Sequence, residues 1–165
     1  MSLKEDDLRS DLKSWLSNVK KLVIIGVGNP LKMDDFIGIY IARRLKNKVP
    51  SRVHLVECET VPESFIEPIQ NLKPTHILII DAALLNLPPG NAKMVKPEET
   101  AGIPISTHAL PLSIFCEYLE KTTGAKIALL AIQPKEIGFG EGLTEELEKA
   151  AEHLEVFLLE LLATI

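Results

Sequence analysis

Asp35, Asp81 and His108 are the side chains in this sequence whose types could carry out chemistry together. Two carboxylates and an imidazole have the composition of a metal site, and their oxygen and nitrogen donors suit divalent ions such as zinc, nickel or cobalt. Three protein ligands leave coordination positions open for a water or a substrate group, as hydrolysis requires. The three residues are far apart in the chain, so only the fold can assemble them. Each also has a plainer reading. Asp35 stands where a first-turn acid serves a helix start, Asp81 at a strand end must be solvated or paired, and His108 alone reads as a hydrogen-bonded loop histidine. An acid-pair hydrolase built on Asp35 and Asp81 requires the two carboxylates to touch and share a proton.

The elements that must position these residues follow from hydrophobic patterning. Leu22 to Ile25 is a short, mostly β-branched apolar run, read as a buried strand. It stops at Gly26-Val27-Gly28-Asn29-Pro30, a turn that lets backbone approach whatever lies above the strand end. Asp34 and Asp35 follow where a helix from Phe36 to about Lys46 begins. Further strands are expected at Arg52–Glu57, Thr75–Ile80, Asn91–Val95 and Lys126–Ile132. Helices are expected from about Glu63 to Gln70, with Pro68 ending or kinking it early, and from beyond His108 to Thr123, stopped by Gly124. A final helix is capped by Thr144, with Glu145 and Glu146 in its first turn. Lys96–Ile105 has no period and reads as a connection. Before the first strand, Leu3, Leu8, Leu12, Trp15, Leu16 and Val19 recur at helical spacing, so residues 1–20 should form an amphipathic helix covering the domain. The apolar residues of the final helix, Val156 to Leu162, read as core.

This alternation specifies a three-layer α/β/α domain, with residues 1–165 as one unit and a five-stranded, largely parallel sheet. The doubly wound order puts the third strand beside the first, on the side away from the second. Ligands of such sheets bind beyond the carboxyl ends of the strands, where the winding reverses. Asp35 and Asp81 then face one crevice, and His108 can reach it from the segment that re-enters the domain.

Other chemistries fit less well. A net charge of −5 without a basic stripe argues against nucleic-acid binding. No run approaches membrane-spanning length, and two cysteines, Cys58 and Cys116, suit a reducing cytoplasm. Gly26-Val27-Gly28 lacks the third glycine of a dinucleotide loop, since Leu31 stands there, and the two aspartates oppose a pyrophosphate. No phosphate-binding G-x-x-x-x-G-K-[ST] loop or G-x-S-x-G elbow occurs. Cys58 is flanked by Glu57 and Glu59, which should raise its pKa and disfavour a thiolate. Cys116 reads as core, and His54, His76 and His153 as structural.

Gly26-Val27-Gly28-Asn29-Pro30-Leu31 with Asp34-Asp35 and Gly38 resembles the opening motif of the hydrogenase maturation endopeptidases. The similarity continues at Glu57-Cys58-Glu59-Thr60-Val61-Pro62, Ile80-Asp81-Ala82, Ser106-Thr107-His108, Gln133-Pro134 and Gly142-Leu143-Thr144. It departs at Phe36, where the family often has glycine, and at Glu57 and Glu59, where it usually has aspartate and glycine. The resemblance implies a phosphorylase/hydrolase-like fold in which the short fourth strand runs antiparallel. It implies a protease that removes the C-terminal peptide of the nickel-iron hydrogenase large-subunit precursor, with Asp35, Asp81 and His108 as the catalytic and metal-binding trio. Gly28, Asn29, Glu57 and Thr60 are carried over as residues of the substrate cleft.

Two mechanisms follow, differing in who owns the metal. The trio holds a resident divalent ion that activates water, or it engages nickel already inserted into the precursor, making nickel the specificity signal. The second is what the resemblance implies. The alternative from another class is a non-enzymatic nickel-sensing chaperone that binds the precursor; a small-ligand domain, for a nucleotide, is a further one. A cytoplasmic monomer is expected, without nucleic acid or membrane insertion.

Overall fold

The computed structural model describes residues 3–59, 62–104 and 111–165. Five strands, β1 (Leu22–Val27), β2 (Val53–Cys58), β3 (His76–Ala82), β4 (Ala92–Val95) and β5 (Lys126–Ile132), form one sheet in the order β2-β1-β3-β5-β4. The pairs β1–β2, β1–β3 and β3–β5 are parallel, and β4 runs antiparallel to β5. The third strand therefore lies beside the first, away from the second, and the winding reverses between β1 and β3 as expected.

Among the described residues five α-helices cover the sheet: α1 (Leu3–Trp15), α2 (Ile37–Leu45), α3 (Ile66–Leu72), α4 (Leu112–Thr123) and α5 (Glu145–Leu162). Strand residues alternate between two cores. Leu22, Ile24, Leu78, Ile80, Ala128 and Leu130 pack with α1, α2 and α5 through Leu12, Ile41 and Leu158. Val23, Ile25, Ile77, Ile79, Leu129 and Ala131 pack with α3 and α4 through Ile69, Phe115 and Leu119. Burial on both faces explains why β1 and β3 read as unbroken apolar runs. Leu8 and Leu12 of α1, with Leu16 just past its end, enter the first core, and in α5 so do Phe157, Leu158, Leu161 and Leu162, while Val156 is exposed.

Three local expectations are corrected. Residues Pro62–Phe65 form a 3-10 turn and α3 proper begins at Ile66, so Pro68 falls in the first helical turn. The missing N–H has no intrahelical partner to lose there, and the proline neither ends nor kinks the helix. The connection after β4 contains a 3-10 helix, Pro97–Gly102, started by a proline in its first turn and closed by a Glu99 carboxylate that accepts the Lys96 N–H at 3.1 Å. Thr144 stands at the N-cap of α5 but makes no side-chain cap, for a reason that belongs to the site.

Candidate active site

Beyond β1 the chain turns through Gly28–Lys32 into a 3-10 turn, Met33–Phe36, that carries both aspartates and leads into α2. Gly38 sets the height of this turn above the sheet. A Cβ there would lie 2.0 Å from the Ile80 carbonyl oxygen and 2.3 Å from that of Val27, so only glycine lets α2 rest directly on β1 and β3. Met33, just before the aspartates, has φ 45°, a conformation a long side chain rarely adopts. It is held by its N–H, which donates to the Gly140 oxygen at 3.1 Å, while the Gly140 N–H donates to the Leu31 oxygen at 2.9 Å. The loop after β5 thus buttresses the loop after β1.

Asp34 is the tie between them. Its fully buried carboxylate accepts the N–H groups of Lys135 and Glu136, both at 2.9 Å, and the N–H of Thr144 at 2.8 Å. The Thr144 hydroxyl also donates to it, at 3.0 Å. That hydroxyl is consequently spent on Asp34, and the first turn of α5 closes by backbone bonds alone, Leu147 and Glu148 N–H donating to the Thr144 oxygen. Donation to the carboxylate fixes the hydroxyl's orientation, and in that orientation its oxygen accepts none of the first-turn N–H groups.

Asp35 faces the opposite way. It does not cap a helix: the residue at the start of the turn is Lys32, and no side-chain cap forms. One carboxylate oxygen, Oδ2, accepts the Asn29 N–H at 3.2 Å. Gly28 wraps so closely that a Cβ would sit 2.0 Å from the Asp35 carbonyl oxygen. The other oxygen, Oδ1, is buried and has no hydrogen-bond partner among the described residues. Asp81 is fully buried in β3, one residue past the last position that β3 pairs with β1, and opposite Ala131 of β5. Its Oδ1 accepts the Ala82 N–H at 2.8 Å. The segment that follows is anchored by Gln133, whose Oε1 accepts the Leu85 N–H at 2.7 Å.

The two aspartates expected to share a crevice are therefore buried at the carboxyl ends of neighbouring strands, Asp35 beyond β1 and Asp81 at the penultimate position of β3, at the switch point. His108 and Thr60 lie outside the described residues. Among the described residues no group of three or more His, Cys, Asp or Glu side chains is placed to hold a metal ion. Glu57, the penultimate residue of β2, lies opposite Gly26 and forms an exposed ion pair with Arg43 at 3.0 Å. Cys58 and Cys116 are buried free thiols, pushed up to about 12. For Cys58 the cause is burial rather than the flanking glutamates. Sequence reasoning missed Asp34 as the support of the site. Its adjacency to Asp35 offered a signal, since neighbouring residues in a tight turn point to different sides.

The fold and these motifs have counterparts. A hydrogenase maturation protease family profile matches residues 39–160. The chain belongs to the hydrogenase maturation protease family. A Methanocaldococcus jannaschii protein provisionally named a hydrogenase maturation protease is 41% identical, over 94% of this chain and 96% of its own length. The hydrogenase 3 maturation protease of Escherichia coli K12 is 30% identical, over 79% of this chain and 83% of its own. In crystal form, the [NiFe] hydrogenase maturation protease HycI of Thermococcus kodakarensis superposes with a TM-score of 0.85 at 33% identity, covering 93% of this chain and 99% of that one. The chain is accordingly a peptidase, which removes the non-enzymatic chaperone and the nucleotide domain from consideration. Among the described residues no helix of this protease is long and apolar enough to cross a membrane.

Proposed function

We propose that this protease removes the C-terminal peptide of the nickel-iron hydrogenase large-subunit precursor after nickel insertion, and that Asp35, Asp81 and His108 engage the nickel carried by the precursor. One observation carries the reading: the buried, unpartnered Oδ1 of Asp35. A buried carboxylate oxygen without a donor is costly, and a cation arriving with substrate compensates it. Two carboxylates and an imidazole suit a borderline divalent ion.

The chain's own residues prepare that encounter. Asn29 holds Oδ2 of Asp35 and thereby orients Oδ1. Asp34 locks the turn to the β5–α5 loop, so Asp35 cannot swing away to find solvent. Gly28 and Asn29 beyond β1 and Glu57 near the end of the neighbouring β2 border the path of the incoming tail, and Thr60 is assigned to the same cleft from its motif alone. Nickel held in this way supplies Lewis acidity and fixes the precursor relative to the protease. With so few protein ligands the trio binds weakly by itself, and the precursor completes the coordination. Loaded precursor is cut and empty precursor is not. The protease acts as a cytoplasmic monomer.

The test pairs metal analysis of the purified protease with cleavage of nickel-loaded and nickel-free precursor. A metal-free protein that cuts only loaded precursor is the expected result. A stoichiometric resident ion with cleavage independent of nickel overturns the reading in favour of a conventional metallopeptidase.

A further inference from the structure

Among the described residues, three of the exposed large apolar side chains lie at the carboxyl-end edge of the sheet, while Ile114, Tyr118 and Val156 lie on α4 and α5. Leu31 is 59% exposed, Leu84 47% and Phe139 88%, and they follow the carboxyl ends of β1, β3 and β5, three strands adjacent in the sheet. Phe139 contributes almost nothing to the core, so folding gives no reason for an aromatic there.

Its backbone is nevertheless fastened. The preceding Lys135 and Glu136 N–H groups bind the Asp34 carboxylate. The following Gly140 exchanges hydrogen bonds with Leu31 and Met33 and forms a bridge with Lys32. Leu31 and Phe139 thus sit on two chain segments paired to each other, one of which runs directly into the turn bearing Asp35. Exposed Lys135, Glu136 and Glu141 flank Phe139 along the chain, so its segment is otherwise polar at the surface. An aromatic within an otherwise polar segment, on backbone that needs no further ordering, is the anatomy of a binding hot spot.

We propose that Leu31 and Phe139 form an apolar platform that docks the polypeptide substrate, taking an apolar segment of the hydrogenase large-subunit precursor while its tail reaches the aspartates. This rests on the substrate assigned above. The occupant is a polypeptide because the chain is a peptidase, and the platform is attached to the turn that carries Asp35, so an entering substrate meets it. The platform acts on substrate capture rather than on bond cleavage.

Steady-state cleavage of nickel-loaded precursor tests this with Phe139→Ser, the conservative Phe139→Leu, and Val156→Ser as a control at an exposed apolar position of α5. Phe139→Ser should raise KM roughly tenfold or more with kcat within about twofold; Phe139→Leu should recover most of the loss, and Val156→Ser should behave as wild type. An unchanged KM for Phe139→Ser while wild type cleaves normally overturns the platform and leaves the assigned substrate standing. An equal effect of Val156→Ser, or sedimentation showing that Phe139→Ser splits self-associated protease, overturns it as well, the latter in favour of contact between copies. If wild type neither binds nor cleaves the precursor, the substrate assignment and the platform fall together.

Discussion

The Thr144 hydroxyl lies 3.0 Å from both carboxylate oxygens of Asp34, and its N–H lies 2.8 Å from one of them. One residue at the start of the last helix is thereby bound to one residue just past the first strand. Together with the Lys135 and Glu136 N–H groups, this makes Asp34 the anchor of the turn that holds Asp35. Asp34→Ala strands several donors that are partly or fully shielded from water, and should cost about 3–5 kcal/mol of stability. Urea unfolding of the variant measures the loss. Asp34→Asn should be nearly as damaging, because its amide presents a donor to N–H groups that need an acceptor.

Asp35 should behave in the opposite manner. It makes one side-chain hydrogen bond of 3.2 Å and keeps one buried oxygen unpaired, so Asp35→Ala removes a penalty along with a weak contact. Stability should change by less than about 1 kcal/mol, or rise, while precursor cleavage falls by roughly 10²-fold or more. Unfolding and cleavage measured on the same preparation separate the two effects. A large loss of stability with activity retained would mark Asp35 as structural.

Neither thiol should react in the folded protein. Cys58 lies in the second core at the end of β2 and Cys116 in α4, and burial pushes both up to about 12. At pH 8 the thiolate fraction is therefore negligible. Ellman's reagent should label neither until denaturant is added, and iodoacetamide should leave cleavage intact.

His76 should make stability depend on pH. It is buried at the start of β3, edge-on to Trp15 at 5.1 Å between ring centroids, with Nδ1 3.0 Å from the Thr75 hydroxyl. Burial, and then the charge of Lys126, lowers its pKa below the ordinary 6.5. The unfolded chain takes up the proton first, so the neutral ring's contribution is complete above about 6.5 and is lost as pH falls through the folded value. For one proton the slope in that window cannot exceed about 1.4 kcal/mol per pH unit. Urea titrations between pH 7.5 and 5.5 should show it, and His76→Gln should flatten it. Glu155, held below the usual carboxylate range by Lys48 and Arg44, loses its contribution at lower pH and does not mask the effect.

The strands, and the adjacency of the third to the first, are legible in the sequence because they depend on local pattern and a general winding rule, whereas the antiparallel fourth strand followed from the family resemblance. β5 has the bounds its apolar run suggests, and Asp35 and Asp81 lie at neighbouring strand ends because β1 and β3 must be adjacent in a doubly wound sheet. The motifs likewise pointed to the family that the comparisons show. What each aspartate does was decided by tertiary structure. Asp34 and Asp35 are the same residue type side by side, and nothing local says that one meets Lys135, Glu136 and Thr144 while the other keeps an empty oxygen. Thr144 looks like a helix cap and is recruited by a carboxylate 110 residues away. Gly38 looks like an ordinary helix glycine and is the point where α2 touches two strands. Hydrophobic periodicity reports which face of an element is buried, so it reaches as far as the layers. A hydrogen bond between remote segments depends on where those layers bring the chain, and only the folded molecule specifies it.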